Sequence, residues 1–145
     1  METIIKHYQT LLTCEQFIVT GSLALSKYGL VEPSKVGDLD LLLINPTKET
    51  KSLLERLQKD NPADTLPSGG SVSFIFMHEK TKIDIFFEEK KIDNLPLIDG
   101  VFFNKIDRII QAKKKSNRLK DWVQLKKMAK LFYEQSSFDK FIDSL

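Results

Sequence analysis

Residues 36–43 read VGDLDLLL, and no other stretch of the chain restricts its fold so tightly. A run this apolar belongs in a sheet interior, yet it carries two carboxylates two positions apart. Side chains alternate across a strand, so Asp38 and Asp40 share one face while Leu39 and Leu41 take the other. Like charges a few Å apart repel, and partial burial adds a desolvation cost. Such a pair is expected only where cations compensate it or solvent reaches it. A divalent metal would do both.

The rest of the chain frames this strand with helices and further strands. Ile4, Ile5, Tyr8, Leu11 and Leu12 stand at helical spacing, and QFIVT follows as a β-branched run ending at Gly21. GSLALSKYGL opens a helix where that strand stops and closes near Gly29. Thr47 caps a helix through about Lys59, with Leu53, Leu54 and Leu57 as its buried stripe. Residues 60–71 read as loop. SVSFIFM and KIDIFF flank the four-residue connection HEKT as an antiparallel hairpin, which places His78 in its turn, remote in sequence from His7. Pro96 and Gly100 bracket a short extended segment, and VFF reads as another strand. Asn104 is expected to cap a helix toward Lys115. A last helix runs from Arg118 to about Tyr133, with Trp122, Leu125, Met128, Ala129 and Phe132 toward the core.

This pattern implies an α/β (α+β) chain of 145 residues forming one domain, with its core over about 16–103 and a helical C-terminal part over about 104–145. A composition of 41% hydrophobic and 29% charged residues is that of an ordinary globular protein. The net charge of +2 permits a polyanionic partner without demanding one. A lone Cys14 excludes an internal disulfide framework, so a cytoplasmic setting is expected, and no apolar run is long enough to span a membrane.

Eleven aspartates in 145 residues would give about 0.8 Asp-x-Asp pairs by chance, so the pair alone is a weak signal. Its surroundings supply the weight. A Gly-Ser closes one strand and opens a helix, and a third carboxylate, Asp84, interrupts another apolar strand. Gly21 lets backbone approach phosphate oxygens, and Ser22 offers a hydroxyl and an amide at a helix start. Asp38, Asp40 and Asp84 offer the oxygen ligands that Mg²⁺ favours beside a triphosphate, and Asp84 could accept the proton of an acceptor hydroxyl. The ordinary alternatives are a solvent-facing strand end for Asp38 and Asp40, an ion pair with Lys82 for Asp84, a plain helix start for Gly21-Ser22, and a solvated helix end for Lys113–Lys115.

FIVTGSLAL, GDLDLLLI and KIDIFF together resemble the Gly-Ser, Asp-x-Asp and distal Asp pattern of the DNA polymerase β-like nucleotidyltransferase superfamily, over about residues 16–87. AKKKSNRLKDWVQLKKM resembles the Lys, Arg, Lys-Asp pattern that follows the core in AbiEii-like small bacterial nucleotidyltransferases. On that resemblance Lys113, Arg118 and Lys120 join Gly21 and Ser22 as nucleotide-binding candidates, with Asp121 beside them. Gln124 departs from it, because those relatives usually carry an acidic residue there. The resemblance implies a nucleotidyltransferase-like fold, a small mixed sheet flanked by helices, and two Mg²⁺ ions, Mn²⁺ being a substitute. It implies an NTP substrate, an acceptor that is a protein, a tRNA or a small molecule, and a toxin–antitoxin or phage-defence setting with a cognate toxin or antitoxin. Two rivals stand beside it: a catalytically weak nucleotide-binding or protein-partner module of the same fold, and a nucleic-acid binder. The second ranks last, because the one aromatic among the eight basic residues over 113–130, Trp122, reads as core and so gives no interleaving.

Overall fold

Helical spacing of Ile5, Tyr8 and Leu12 produces helix α1 (Glu2–Leu11), which buries these three side chains, while Leu11 turns 39% exposed to solvent instead of joining their stripe. Strand β1 (Gln16–Thr20) passes directly into helix α2 (Gly21–Lys27). Gly29, at φ +77°, closes that helix, with Gly29 N–H donating to Ser26 O and Leu30 N–H to Leu25 O. The acidic apolar run is strand β2 (Asp38–Ile44). Helix α3 (Lys48–Asp60) follows, capped by Thr47, whose hydroxyl accepts from Thr50 N–H at 3.2 Å.

Strands β3 (Phe74–His78) and β4 (Thr81–Glu88) form the expected hairpin with a tighter turn than the sequence suggests. His78 and Thr81 pair in the ladder, leaving Glu79, at φ +56°, and Lys80 as the connection. Strands β5 (Leu97–Ile98) and β6 (Val101–Phe103) lead to helices α4 (Ile106–Ser116) and α5 (Leu119–Gln135). This computed structural model describes residues 1–64 and 72–135. The loop reading at 65–71 and the core position of Phe132 lie outside the described residues, as do the side chains of Lys35 and of 131–135.

The strands form one mixed sheet in the order β3-β4-β2-β1-β6-β5. Neighbours β2 and β4 are parallel, as are β1 and β6, whereas the β1–β2, β3–β4 and β5–β6 pairs are antiparallel. Phe17, Val19, Leu39, Leu41, Leu43, Ile83 and Ile85 point to one face and are buried with Tyr8, Leu25 and Leu54 of the flanking helices and with Leu12, which follows α1. Each contributes about 1.5–3 kcal/mol through burial. Ile109 of α4 and Met128 of α5 belong to this same core.

The opposite face carries a smaller cluster of Ile18, Leu42, Ile44 and Ile92, with Phe86 packed against it. The segment after β4 covers this cluster. Gln16 pins that segment, donating to Ile92 O and accepting from Ile92 N–H, both at 2.8 Å. One pleat beyond Leu42 and Phe86, the same face presents Asp40 and Asp84. At the outer edge of β3, Ile75 N–H donates to Gln58 Oε1 (2.8 Å) and Met77 N–H to Asn61 O (2.9 Å), so α3 seals that edge. Among the described residues no helix is long and apolar enough to cross a membrane.

Candidate functional site

Parallel pairing of β2 with β4 sets Asp38 opposite Lys82 and Asp40 opposite Asp84. All four side chains occupy one face, as strand alternation requires. Asp84 is 5% exposed, and its Oδ1 is buried without a hydrogen-bond partner. Lys82 Nζ lies 3.4 Å from Asp38 Oδ2 and 3.8 Å from Asp84 Oδ2. The ordinary ion pair for Asp84 is thus present, with Lys82 as its partner. Burial, then the charge of Asp84 and a hydrogen bond shared with it, pushes the Asp40 carboxyl up to about 7. Burial also raises Asp84, against the opposing pull of Lys82. Ionising both facing carboxyls together is therefore costlier than ionising either alone.

Gly21 stands against this pair. It has φ +68°, and a Cβ there would overlap the Asp40 carboxylate, so the position excludes side chains on two independent grounds. The Ser22 hydroxyl accepts from Gln124 Nε2 at 3.2 Å. Helix α2 spans seven residues, or about 10 Å, too short for its N-terminal dipole to act far from its opposite end. Side chains nearby add attraction for an anion.

Those side chains stand on α4 and α5. Asp121, 1% exposed, accepts from Arg118 through two bonds, Nε to Oδ2 (2.8 Å) and Nη2 to Oδ1 (3.1 Å), and lies 3.9 Å from Lys113 Nζ. Arg118 Nη1 is buried without a partner. Burial lowers the Lys113 ammonium below the usual lysine range, with Asp121 and Asp40 opposing the fall. A cleft of about 900 Å³ is lined by Gly21, Asp40, Lys113, Arg118 and Asp121, with Leu42, Phe86 and Ile109 as its apolar surface. Asp38, Asp84, Ser22 and Lys120 are outside that lining, although the charge of Lys120 reaches Asp84 and Lys113.

No protein-family model, curated protein or solved structure matches this chain. Chemical inference therefore starts from the residues themselves. Among the described residues no group of three or more His, Cys, Asp and Glu side chains forms a ready metal cage. Asp40 and Asp84 meet, and Asp38 turns toward Lys82. Two facing carboxylates, an orphaned buried oxygen on Asp84 and a third carboxylate beside them nonetheless fit a hard cation that keeps part of its water and completes its shell with substrate oxygens.

Three further residues organise the site. Lys82 supplies positive charge between Asp38 and Asp84. Gln124 ties α5 to the start of α2. Asn104 is a buried hub where a helix cap was expected: Nδ2 donates to Thr20 Oγ1 (3.1 Å), Oδ1 accepts from Arg108 Nε (3.1 Å), and its carbonyl accepts from Tyr28 Oη (2.7 Å). The N-cap of α4 is Lys105. Asparagine in the sequence signals a cap and a hub alike, because both use the same short amide.

Two other readings change in the structure. Trp122 is 46% exposed, held by a bond from its Nε1 to Asn117 Oδ1 at 2.7 Å. His78 ends β3 with its ring 5.7 Å from that of His7, and its Nδ1 is 2.7 Å from Tyr8 Oη, so the fold joins residues that the sequence separates.

Proposed function

We propose that this chain is a metal-dependent nucleotidyltransferase that moves a nucleoside monophosphate from an NTP to a hydroxyl or phosphate acceptor and releases pyrophosphate. The observation that carries the reading is the opposition of Asp40 and Asp84 across adjacent parallel strands, with Asp40 lining a cleft whose wall holds Lys113 and Arg118. Asp38, Asp40 and Asp84 would hold Mg²⁺, or Mn²⁺ in its place. When bound, such ions stabilise the attacking and departing oxygens of an in-line displacement.

The chain's own groups do the remaining work. Lys113 Nζ and Arg118 Nη1 attract the triphosphate, and Asp121 holds both cations in position. Gly21 keeps the approach to Asp40 free of a side chain. As the acceptor oxygen bonds to the α-phosphorus, the bond to pyrophosphate breaks, and the acceptor's proton passes to the Asp84 carboxylate. The family resemblance adds a toxin–antitoxin or phage-defence setting with a cognate protein partner.

The test is Mg²⁺-dependent pyrophosphate release and transfer of labelled nucleotide to protein, tRNA or small-molecule acceptors. Wild type should give both, and Asp38→Asn with Asp40→Asn neither; equal signals would remove the enzyme reading. One observation favours a second reading, a catalytically weak nucleotide-binding or protein-partner module: Lys82 places its own positive charge beside both Asp38 and Asp84. On that reading nucleotide binds without transfer, and Mg²⁺ leaves its affinity unchanged.

A further inference from the structure

Eight of the chain's 22 Lys and Arg residues stand in positions 113–130 against one of its 20 Asp and Glu residues, so the rest of a chain of net charge +2 carries −5. That one acid, Asp121, is buried. Over positions 113–130 the exposed charges are therefore all positive. Lys114, Lys115, Lys120, Lys126 and Lys127 are exposed, and none forms an ion pair among the described residues. Trp122 stands among them, 46% exposed, with Leu119 (82%) and Val123 (45%) beside it. Its Nε1–H is fixed by Asn117, which closes α4 at φ +53°, so the ring is held in place before any ligand arrives.

We propose that the α4–α5 corner binds single-stranded nucleic acid, with a base stacked on Trp122 and the backbone phosphates on the surrounding lysines. A pre-positioned aromatic ring within a cationic surface is the chemistry that such strands require. A membrane surface calls for the apolar face of an entire helix, whereas among the described residues of this corner three large apolar side chains are exposed. An acidic peptide would use the lysines and leave the fixed ring without a role. Lys115 also lines the cleft, so the corner and the cleft are continuous. The proposal does not rest on the transferase reading.

Trp122 is the only tryptophan, which makes its fluorescence the readout. The full chain is titrated with a 12-nucleotide oligouridylate, its deoxythymidylate counterpart, a duplex of equal length, anionic phospholipid vesicles and a poly-glutamate peptide. Both single strands should quench Trp122, the two arms separating RNA from DNA preference. For four contacted phosphates, affinity should fall roughly 50-fold between 50 and 200 mM salt. By anisotropy of labelled strand, Trp122→Ala should bind about tenfold more weakly with unchanged circular dichroism. Lys126→Ala with Lys127→Ala should reduce the salt slope by about 1.4. Asp38→Asn with Asp40→Asn should bind as wild type, which separates this surface from the transfer reaction. Absence of quenching, wild-type affinity in Trp122→Ala, equal quenching by duplex, or tighter binding to vesicles or poly-glutamate overturns the proposal.

Discussion

At the scale of single residues, the site is held in a costly state by its neighbours. Asp40 retains its proton to about pH 7 in the folded chain, against an ordinary value of 3.8. A raised folded value means that the native state binds more protons between those limits, so this group's contribution favours folding below about pH 4 and weakens as pH rises toward 7. Asp40→Asn is therefore expected to abolish transfer while raising stability at pH 8, by of order 1 kcal/mol or about 2–4 °C in Tm, with a smaller gain at pH 4.5. Thermal melts at the two pH values check both sign and size. Gly21→Ala acts in the opposite sense. It meets both the positive φ and the Asp40 carboxylate, so a loss of roughly 2–3 kcal/mol is expected in urea unfolding together with loss of nucleotide binding. The two aspartates, the glycine and Asp84 were legible in the sequence, because acids and a glycine break an apolar pattern visibly. Lys82 was legible only as a partner for Asp84, since its reach to Asp38 depends on a strand pairing that no local pattern encodes.

At the scale of elements, the sequence revealed most strands and helices and none of their lateral order. Alternation identifies β2 and β4 individually, but their parallel contact bridges α3 and β3, and that register brings Asp84 beside Asp40. Trp122 was misplaced for a related reason. A helix with apolar residues on several sides gives more than one candidate inward face, and only packing selects Met128 over Trp122. The junction between sheet and C-terminal helices depends on Asn104 and Asp121. Asn104→Ala releases Thr20 and Arg108 together, and a loss of about 2 kcal/mol is expected by chemical denaturation. Asp121→Ala leaves Arg118 and Lys113 without their shared counter-charge. It should cost roughly 2–4 kcal/mol and raise the KM for NTP more than it lowers kcat, which steady-state kinetics would separate.

At the scale of the whole molecule, a domain that places buried carboxylates beside a cationic wall should be stabilised by whatever completes the charge balance. Mg²⁺ or Mn²⁺ with a non-hydrolysable NTP, at 100 times the dissociation constant, is expected to add about 2.7 kcal/mol to wild type and little to Asp40→Asn, measurable as a Tm shift reversed by chelation. The sheet itself ends at two dissimilar borders. On one side α3 occupies the outward amides of β3 at Ile75 and Met77, and on the other β5 is two residues long. Among the described residues neither border offers a template on which a stranger's backbone could be laid down. Concentrated solutions of this protein should therefore resist cross-β polymerisation, and opening the β3 side with Gln58→Ala is the change most apt to start fibre growth.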